Sequence, residues 1–476
     1  MSLQNFIKKI LGVSTVDIGK LNRKAAGRIE RSSSSFISSD PPEDIEITGE
    51  YRKILALIEA GAPLIFVSGK AGTGKTTLVH YLRSVLKKNV AVVAPTGVAA
   101  LNVKGATIHS FFRFPPRIIA AEDIREVRNR RLYEKMDILI VDEVSMVRAD
   151  VLDAMDQFLR LNGPDAQSPF GGVQVVFVGD LFQLPPVVTR QEREILDAMR
   201  YETPFFFSAK VLQSCQFTPV ELSKLYRQTD AAFTGMLDRI RLAEDLDTVI
   251  PALNEACAAN SGEHQSLITL TCTNTAAGFI NESKLRGLPG ETRTFIGQIS
   301  GTFNIQEDRL PSPLHLDLKL GAQVMFTKND EAKRWVNGTI GRVIGFDGDS
   351  IRVELLSDPL RSVCDVGKTR WETFRYAYDS VEDRIKPEVM GEYSQYPLML
   401  AWAVTIHKSQ GKTLEKVKID LGDGAFAPGQ VYVALSRCRS LADMTLARPV
   451  RADEVKCDGR IKRFYEGLAR EQLSGN

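Results

Sequence analysis

One stretch limits what this chain can fold into. Gly69-Lys70-Ala71-Gly72-Thr73-Gly74-Lys75-Thr76 fits G-x-x-x-x-G-K-[ST] without exception, and Thr77 follows it. The apolar run Leu64-Ile65-Phe66-Val67 leads in and reads as a buried parallel strand. Leu78, Tyr81, Leu82 and Val85 come next at helical spacing. A strand, this loop and a helix in that order mark a phosphate site, where a glycine-rich turn alone would not. Gly69, Gly72 and Gly74 let the backbone turn tightly, so that N–H groups from Ala71 through Thr77 can face phosphate oxygens. Lys75 offers a point charge to the β- and γ-phosphates, and the Thr76 hydroxyl suits Mg²⁺.

At 476 residues the chain is too long for one compact core and predicts roughly three units. No apolar run reaches the ~18 residues needed to span a bilayer. Six scattered cysteines without a C-x-x-C pair, and five dispersed histidines, suggest neither a metal site nor disulfides. The net charge is +2, so a nucleic-acid site would have to be a local groove and not a generally basic surface.

Residues 1–44 are basic and serine-rich. They resemble a transit peptide in composition, or equally a basic docking tail, and end in the linker Ser38 to Asp44. A helix follows with Tyr51, Ile54, Leu55 and Ile58 on one face. Val90–Ala94, Ile138–Val141 and Val173–Val178 are short continuous apolar runs separated by helical patterns. They predict a parallel sheet covered on both faces. A second set begins at Leu267–Thr271 and resumes with Pro397–Thr405, Val417–Leu421 and a helix from Gln430. Between them, residues 316–396 alternate with period two and are punctuated by Asn337-Gly338 and Asp347-Gly348, which predicts a small antiparallel barrel inserted in the second α/β unit.

Asp142 and Glu143 end an apolar strand, where they would face a nucleotide crevice. Asp142 suits Mg²⁺ and Glu143 suits activation of water. Gln183, after the strand ending at Gly179-Asp180, is placed to contact a γ-phosphate. Residue type alone does not separate Arg227 and Arg437 from surface charges. Four stretches combine small hydroxyl residues with basic or aromatic neighbours, as backbone-phosphate contacts and base stacking need. They contain Pro95, Thr96 and Gly97; Thr107, His109, Ser110, Phe111 and Phe114; Thr271 and Asn274; and His407, Lys408 and Ser409. Core packing explains Phe111, Phe112 and Phe114 equally well, and His109 and His407 equally read as satisfied core histidines.

In order, Gly69–Thr76, Ala94–Ala100, Asp142–Met146, Gly179–Pro186, Tyr226-Arg227-Gln228, Ala403–Gly411 and Gly429–Arg437 resemble the superfamily 1B DNA helicases of the PIF family, close to the RecD-like motors. Leu152 through Gly172 looks like the segment peculiar to that family. The resemblance implies two RecA-like domains, 45–215 and 216–315 with 397–450, holding ATP and Mg²⁺ between them. It implies a wedge near 108–130 and an SH3-like insertion at 316–396, leaving 451–476 as a tail. It places Arg227, Arg437 and Gly411 at the nucleotide, and Tyr51 near the position where relatives read adenine with glutamine. It further implies 5′→3′ movement on single-stranded DNA, as a monomer, with unwinding of junctions, G-quadruplexes or RNA–DNA hybrids in replication, repair, recombination or telomere-type maintenance. A weakly unwinding translocase or remodeller, or a nucleotide-gated single-strand-binding module, are the alternatives. The expected location is a bacterial cytoplasm, or a mitochondrion or nucleus for a eukaryotic chain.

Overall fold

The computed structural model describes residues 45–474 apart from 229, 261–267, 304, 357 and 359. The basic tail and linker read over 1–44 lie outside the described residues. Helix α1 (Gly49–Glu59) begins where the Thr48 hydroxyl accepts the Tyr51 N–H, and it ends ahead of Gly61, whose φ is +78°. The first sheet contains β1 (Leu64–Gly69), β2 (Val90–Ala94), β3 (Ala106–Thr107), β4 (Ile138–Val141), β5 (Gln174–Gly179) and β6 (Thr218–Leu222). Their order is β3-β2-β4-β5-β1-β6, with every pair parallel. Every residue of β1, β4 and β5 is buried, as a sheet covered on both faces requires. Ile65, Val67 and Val176 meet α1 and α2 (Lys75–Val85) on one face. Phe66 and Phe177 meet the other cluster, with Phe158 of α3 (Ala149–Asn162).

Helix α3 organises the loops around it through three buried carboxylates one turn apart, Asp150, Asp153 and Asp156. Asp150 takes both Arg148 Nε and an Arg148 terminal nitrogen at 2.8 Å. Asp153 accepts the Lys210 and Val211 N–H groups and the Tyr201 hydroxyl. Asp156 accepts the Phe170 N–H at 2.6 Å and pairs with Arg160. The chain turns back on α3 at Gly171, φ +63°, where a Cβ would lie 2.3 Å from the Leu159 carbonyl oxygen, so only glycine fits. Most of 113–130 is irregular backbone, and Asn162 pins it by accepting the Val127 N–H and donating to the Arg125 carbonyl.

The second unit opens with α4 (Ala231–Leu242), α5 (Leu246–Ala259), β7 (Ile268–Thr271) and α6 (Asn274–Gly287). Among the described residues, ten antiparallel strands then intervene. They are β8 (Arg293–Ile296), β9 (Gln298–Gly301), β10 (His315–Leu318), β11 (Gln323–Phe326), β12 (Ile340–Asp347), β13 (Ser350–Leu355), β14 (Val363–Val366), β15 (Thr369–Asp379), β16 (Arg384–Gln395) and β17 (Leu398–Leu400). They form sheets β14-β13-β12-β11-β17, β15-β16-β9 and β10-β8. The sequence boundaries at 316 and 396 are therefore too narrow. Strands β8 and β9 pair inside the insertion, and the apolar run from Pro397 divides between β17, on β11, and the parallel sheet. That sheet resumes with β18 (Ala403–Thr405), β19 (Val417–Asp420) and β20 (Met444–Leu446), in the order β18-β7-β19-β20, with α7 (Gln430–Leu435) between the last two strands.

The expected C-terminal tail is also corrected. Residues Gly459–Ser474 form helix α8, which lies on the first domain. The Phe464 ring stacks on Phe207 at 4.6 Å, and Tyr465 stacks on Phe182 at 5.3 Å. Its apolar spacing at Ile461, Phe464, Tyr465 and Leu468 is helical.

Asp153→Ala strands three donors inside the protein, at about 1–3 kcal/mol for each one left unpaired. The variant should melt well below the parent in a thermal scan, and Asp153→Asn should melt between the two. A melting temperature unchanged by Asp153→Ala would show that water replaces the carboxylate freely.

Candidate nucleotide and nucleic-acid site

Parallel strands point their C-terminal ends at a common edge, and the site residues gather there. Gly72 and Gly74 sit at φ +85° and +83°. A Cβ on Gly72 would lie 2.6 Å from Arg227 Cβ, and one on Gly74 would lie 2.8 Å from the Tyr51 hydroxyl. At Gly69 the constraint is space, because Thr73 Oγ1 would stand 2.5 Å from a Cβ. The Lys75 ammonium donates to the Gly69 and Lys70 carbonyls at 2.7 and 3.0 Å. Burial pulls its pKa down, opposed by Asp180, Glu143 and Asp142. Thr76 is exposed on the first turn of α2.

Asp142 and Glu143 follow β4, with Glu143 at φ +50°. Burial raises the pKa of both carboxyls, and for Asp142 the Glu143 charge adds to it, with Lys75 opposing. Asp180 follows β5 and has no exposed surface. Three side chains surround it: Arg241 of α4 at 3.0 and 3.3 Å, Gln183 Nε2 at 3.0 Å and the Tyr432 hydroxyl of α7 at 3.4 Å. Burial works against ionisation of Asp180, but Arg241 and Lys75 outweigh it and hold the pKa below the usual carboxylate value.

Gln410 crosses the cleft from the second domain. Its amide donates to Glu143 Oε2 at 3.3 Å and to Gln183 Oε1 at 3.5 Å. Arg437 is 1% exposed and is held by carbonyls of its own domain: Nε on Val433 and one terminal nitrogen on Ser409 and Lys412. Arg227 lies beside it, on Thr413 Oγ1 and the Ser436 and Gly411 carbonyls. Burial, then the neighbouring Arg227 charge, bring the Arg437 pKa down to about 9. The structure thus brings Lys75, Asp142, Glu143 and Gln183 to one side of a cleft, with Arg227, Gln410 and Arg437 on the other.

Tyr51 departs from expectation. It is 2% exposed, stacks on Tyr81 and donates its hydroxyl to the Gly74 carbonyl at 2.7 Å. It braces the phosphate loop and offers no face to a base. Tyr226 is 46% exposed, with its N–H on the Gly72 carbonyl, its ring against Gly74 and the Lys224 ammonium 5.3 Å from the ring centre.

The stretches expected at a nucleic-acid strand are also partly corrected. Phe111 and Phe114 are core residues, packed among Phe112, Tyr133, Phe158 and Tyr376, with no ring face open for stacking. The Thr271 and Ser409 side chains are buried, with their hydroxyls donated to the Thr273 and Ile406 carbonyls. The Thr96 and Thr107 hydroxyls cap short helices by accepting the Ala99 and Ser110 N–H groups. Ser110, Asn274 and Lys408 are exposed, and Pro95, Gly97, His109 and His407 are half-buried. Burial lowers the pKa of both histidines. Against Gly97, Thr107 and Ser110 stands the β15–β16 hairpin with the segment after β9, closing a groove lined by Ile305, Thr373 and Met390. Tyr376 fastens it by accepting the Val92 N–H at 3.0 Å, and Asn89 Oδ1 accepts the Ile385 N–H at 2.8 Å.

Sequence reading did not single out Asp180, Arg241, Gln410 or Tyr432. Asp180 and Gln410 lie inside stretches already noticed, next to Gly179 and Ser409. Arg241 carries no local signal, because only the packing of α4 brings it to Asp180.

Two RecA-like domains facing one phosphate loop make this a P-loop nucleoside-triphosphatase fold. A profile of the PIF1-like helicase family matches residues 46–244. The chain is 34% identical over 444 residues to the ATP-dependent DNA helicase PIF1 of Mus musculus, covering 90% of this chain and 64% of the mouse protein. It therefore spans just under two thirds of that relative's length. It superposes on Bacteroides sp. Pif1 in complex with ADP-AlF4 with a TM-score of 0.81 at 38% identity, covering 90% of this chain and 98% of the other. Against Bacteroides Pif1 bound to single-stranded DNA the TM-score is 0.65 at 37% identity, with the same coverage. The chain belongs to the PIF1-like helicase family.

The Asp180–Arg241 pair generates a stability prediction. Asp180→Ala leaves a buried guanidinium unpaired, a loss of about 3–5 kcal/mol. The double variant Asp180→Leu/Arg241→Met should recover most of it in thermal or urea unfolding. If the double variant is no more stable than Asp180→Ala, the pair is not the source of the loss.

Proposed function

We propose that the chain is an ATP-driven DNA helicase that moves 5′→3′ on single-stranded DNA and opens duplexes at single-strand junctions. The observation that carries this reading is Gln410, hydrogen-bonded to Glu143 and Gln183 across the cleft. It lies two residues beyond the exposed Lys408, so one loop meets both the hydrolytic acids and the surface proposed for DNA. Glu143 takes the proton of the attacking water, Gln183 meets the γ-phosphate, and Arg227 and Arg437 steady the charge that develops on it. The buried Asp142–Glu143 pair, its pKa values raised by burial, suits a dication, and Thr76 with Asp142 would hold Mg²⁺. The ion would neutralise charge on the phosphates. The half-open Tyr226 ring supports purine stacking at the nucleotide.

Entry of a strand along Gly97 and Thr107 requires the β15–β16 hairpin to leave that groove. The lower similarity to the DNA-bound relative supports such a rearrangement. The segment 108–130, anchored on α3 through Arg125 and Val127, is the proposed wedge. G-quadruplexes and RNA–DNA hybrids are further proposed substrates. Action as a monomer in genome maintenance is part of the same proposal, in a bacterial cytoplasm, or in a mitochondrion or nucleus for a eukaryotic chain.

Tailed duplexes test the polarity. Strand displacement should need ATP, Mg²⁺ and a 5′ overhang, and Glu143→Gln should bind nucleotide yet fail to hydrolyse it. Exclusive use of a 3′ overhang would overturn the direction. ATP hydrolysis without displacement on either tail would favour the translocase reading.

Arg437→Ala should lower the DNA-stimulated ATPase by ~10³-fold or more, as for a lost arginine finger, and the basal rate far less. Arg437→Lys should rescue poorly, because lysine lacks the planar fork. Steady-state rates with and without oligo-dT check this. Equal fractional losses in both conditions would shift the role to Arg227.

A further inference from the structure

The phosphate loop is held from both sides of the cleft. The Ala71 N–H donates to the Tyr432 hydroxyl at 3.1 Å, a contact between residues 361 positions apart. Tyr432 lies on α7 and is 4% exposed. The same hydroxyl donates its own proton to Asp180 Oδ2, and Arg241 holds the opposite oxygen of that carboxylate. Acceptor and donor functions of the phenol are thus both in use, and Asp180 orients it toward the loop. Burial and the Asp180 charge keep the phenol protonated.

A backbone N–H in a loop of this kind is a phosphate donor, and it has one proton to give. We propose that the Tyr432 hydroxyl competes with nucleotide phosphate for the Ala71 N–H, so that the second RecA-like domain sets nucleotide affinity and release through a single hydrogen bond. The inference rests on the nucleotide reading of the loop given above. Nucleotide entry requires Tyr432 to withdraw. When phosphate leaves, the hydroxyl retakes the N–H, which opposes rebinding of product. Arg437 is five residues further along and bonds back to the Val433 carbonyl. Tyr432 and Arg437 therefore move with one short segment, and the same displacement repositions a competitor for the loop and a charge for the γ-phosphate.

Tyr432→Phe keeps the buried ring and removes only the oxygen. Equilibrium titration of the full chain without DNA, using a fluorescent non-hydrolysable ATP analogue, should show a dissociation constant about three- to ten-fold lower than the parent's. That is the scale of one neutral hydrogen bond. Amide hydrogen exchange gives a second readout on the unaltered protein. Without nucleotide the Ala71 amide should be protected in the parent and should exchange quickly in Tyr432→Phe, and the analogue should restore protection in both. An unchanged dissociation constant would make the contact merely structural, and a raised one would mean that the hydroxyl binds nucleotide. Either overturns the proposal, as does rapid Ala71 exchange in the nucleotide-free parent. A parent that fails to bind the analogue at all would instead sink the nucleotide reading of the loop.

Discussion

Everything around the cleft depends on one buried carboxylate. Asp180 has no exposed surface, yet Arg241 and Lys75 keep it ionised. An ion in that position is tolerable only when its lone pairs are taken, and they are taken by Gln183, Arg241 and Tyr432. One of these groups belongs to the first domain and two to the second. Separation of the domains would take Arg241 and Tyr432 away from that charge, so the pairing favours this arrangement of the halves. The Lys70–Asp238 ion pair at 2.7 Å, one turn before Arg241 on α4, lies on the same seam. Being about one third exposed, it contributes little beside the buried pair.

The two arginines belong to a second layer of the same design. Each guanidinium is anchored on carbonyls of its own domain and presents charge to the first. The Ser409 carbonyl bonds Arg437 and the Ser409 hydroxyl bonds Ile406, while the next residue, Gln410, reaches Glu143. A shift of the His407–Lys408 segment cannot leave Arg437 and Gln410 where they were. A displacement at His407 and Lys408 thus reaches the acids in the cleft through a few peptide units.

Much of this was legible in the sequence, for identifiable reasons. The phosphate loop and the strand before Asp142 are local patterns, a glycine geometry and an apolar run, and local patterns survive any tertiary context. Tyr51 departs from expectation, and Phe111 and Phe114 fit either role in the sequence, because an aromatic ring near a binding motif looks the same whether it faces a ligand or the core. Ser409 and Thr271 were misread because a hydroxyl's partner, here a carbonyl two or three residues away, depends on the backbone turn. Strands β8 and β9 fell outside the predicted barrel because their partners, β10 and β16, lie up to about ninety residues further on. Arg241 and Tyr432 matter only through long-range packing, which periodicity does not report.

Helix α8 has a mechanical consequence. The chain passes from the first domain to the second after β6 and returns to the first at α8, whose rings lie on Phe66, Phe207 and Phe182. Two crossings, one covalent and one docked, make a door hung on two hinges. The halves can swing about the line joining those points, but they cannot drift apart or twist freely. While α8 stays docked, a hinge of this kind narrows the ways in which the two domains can move past each other.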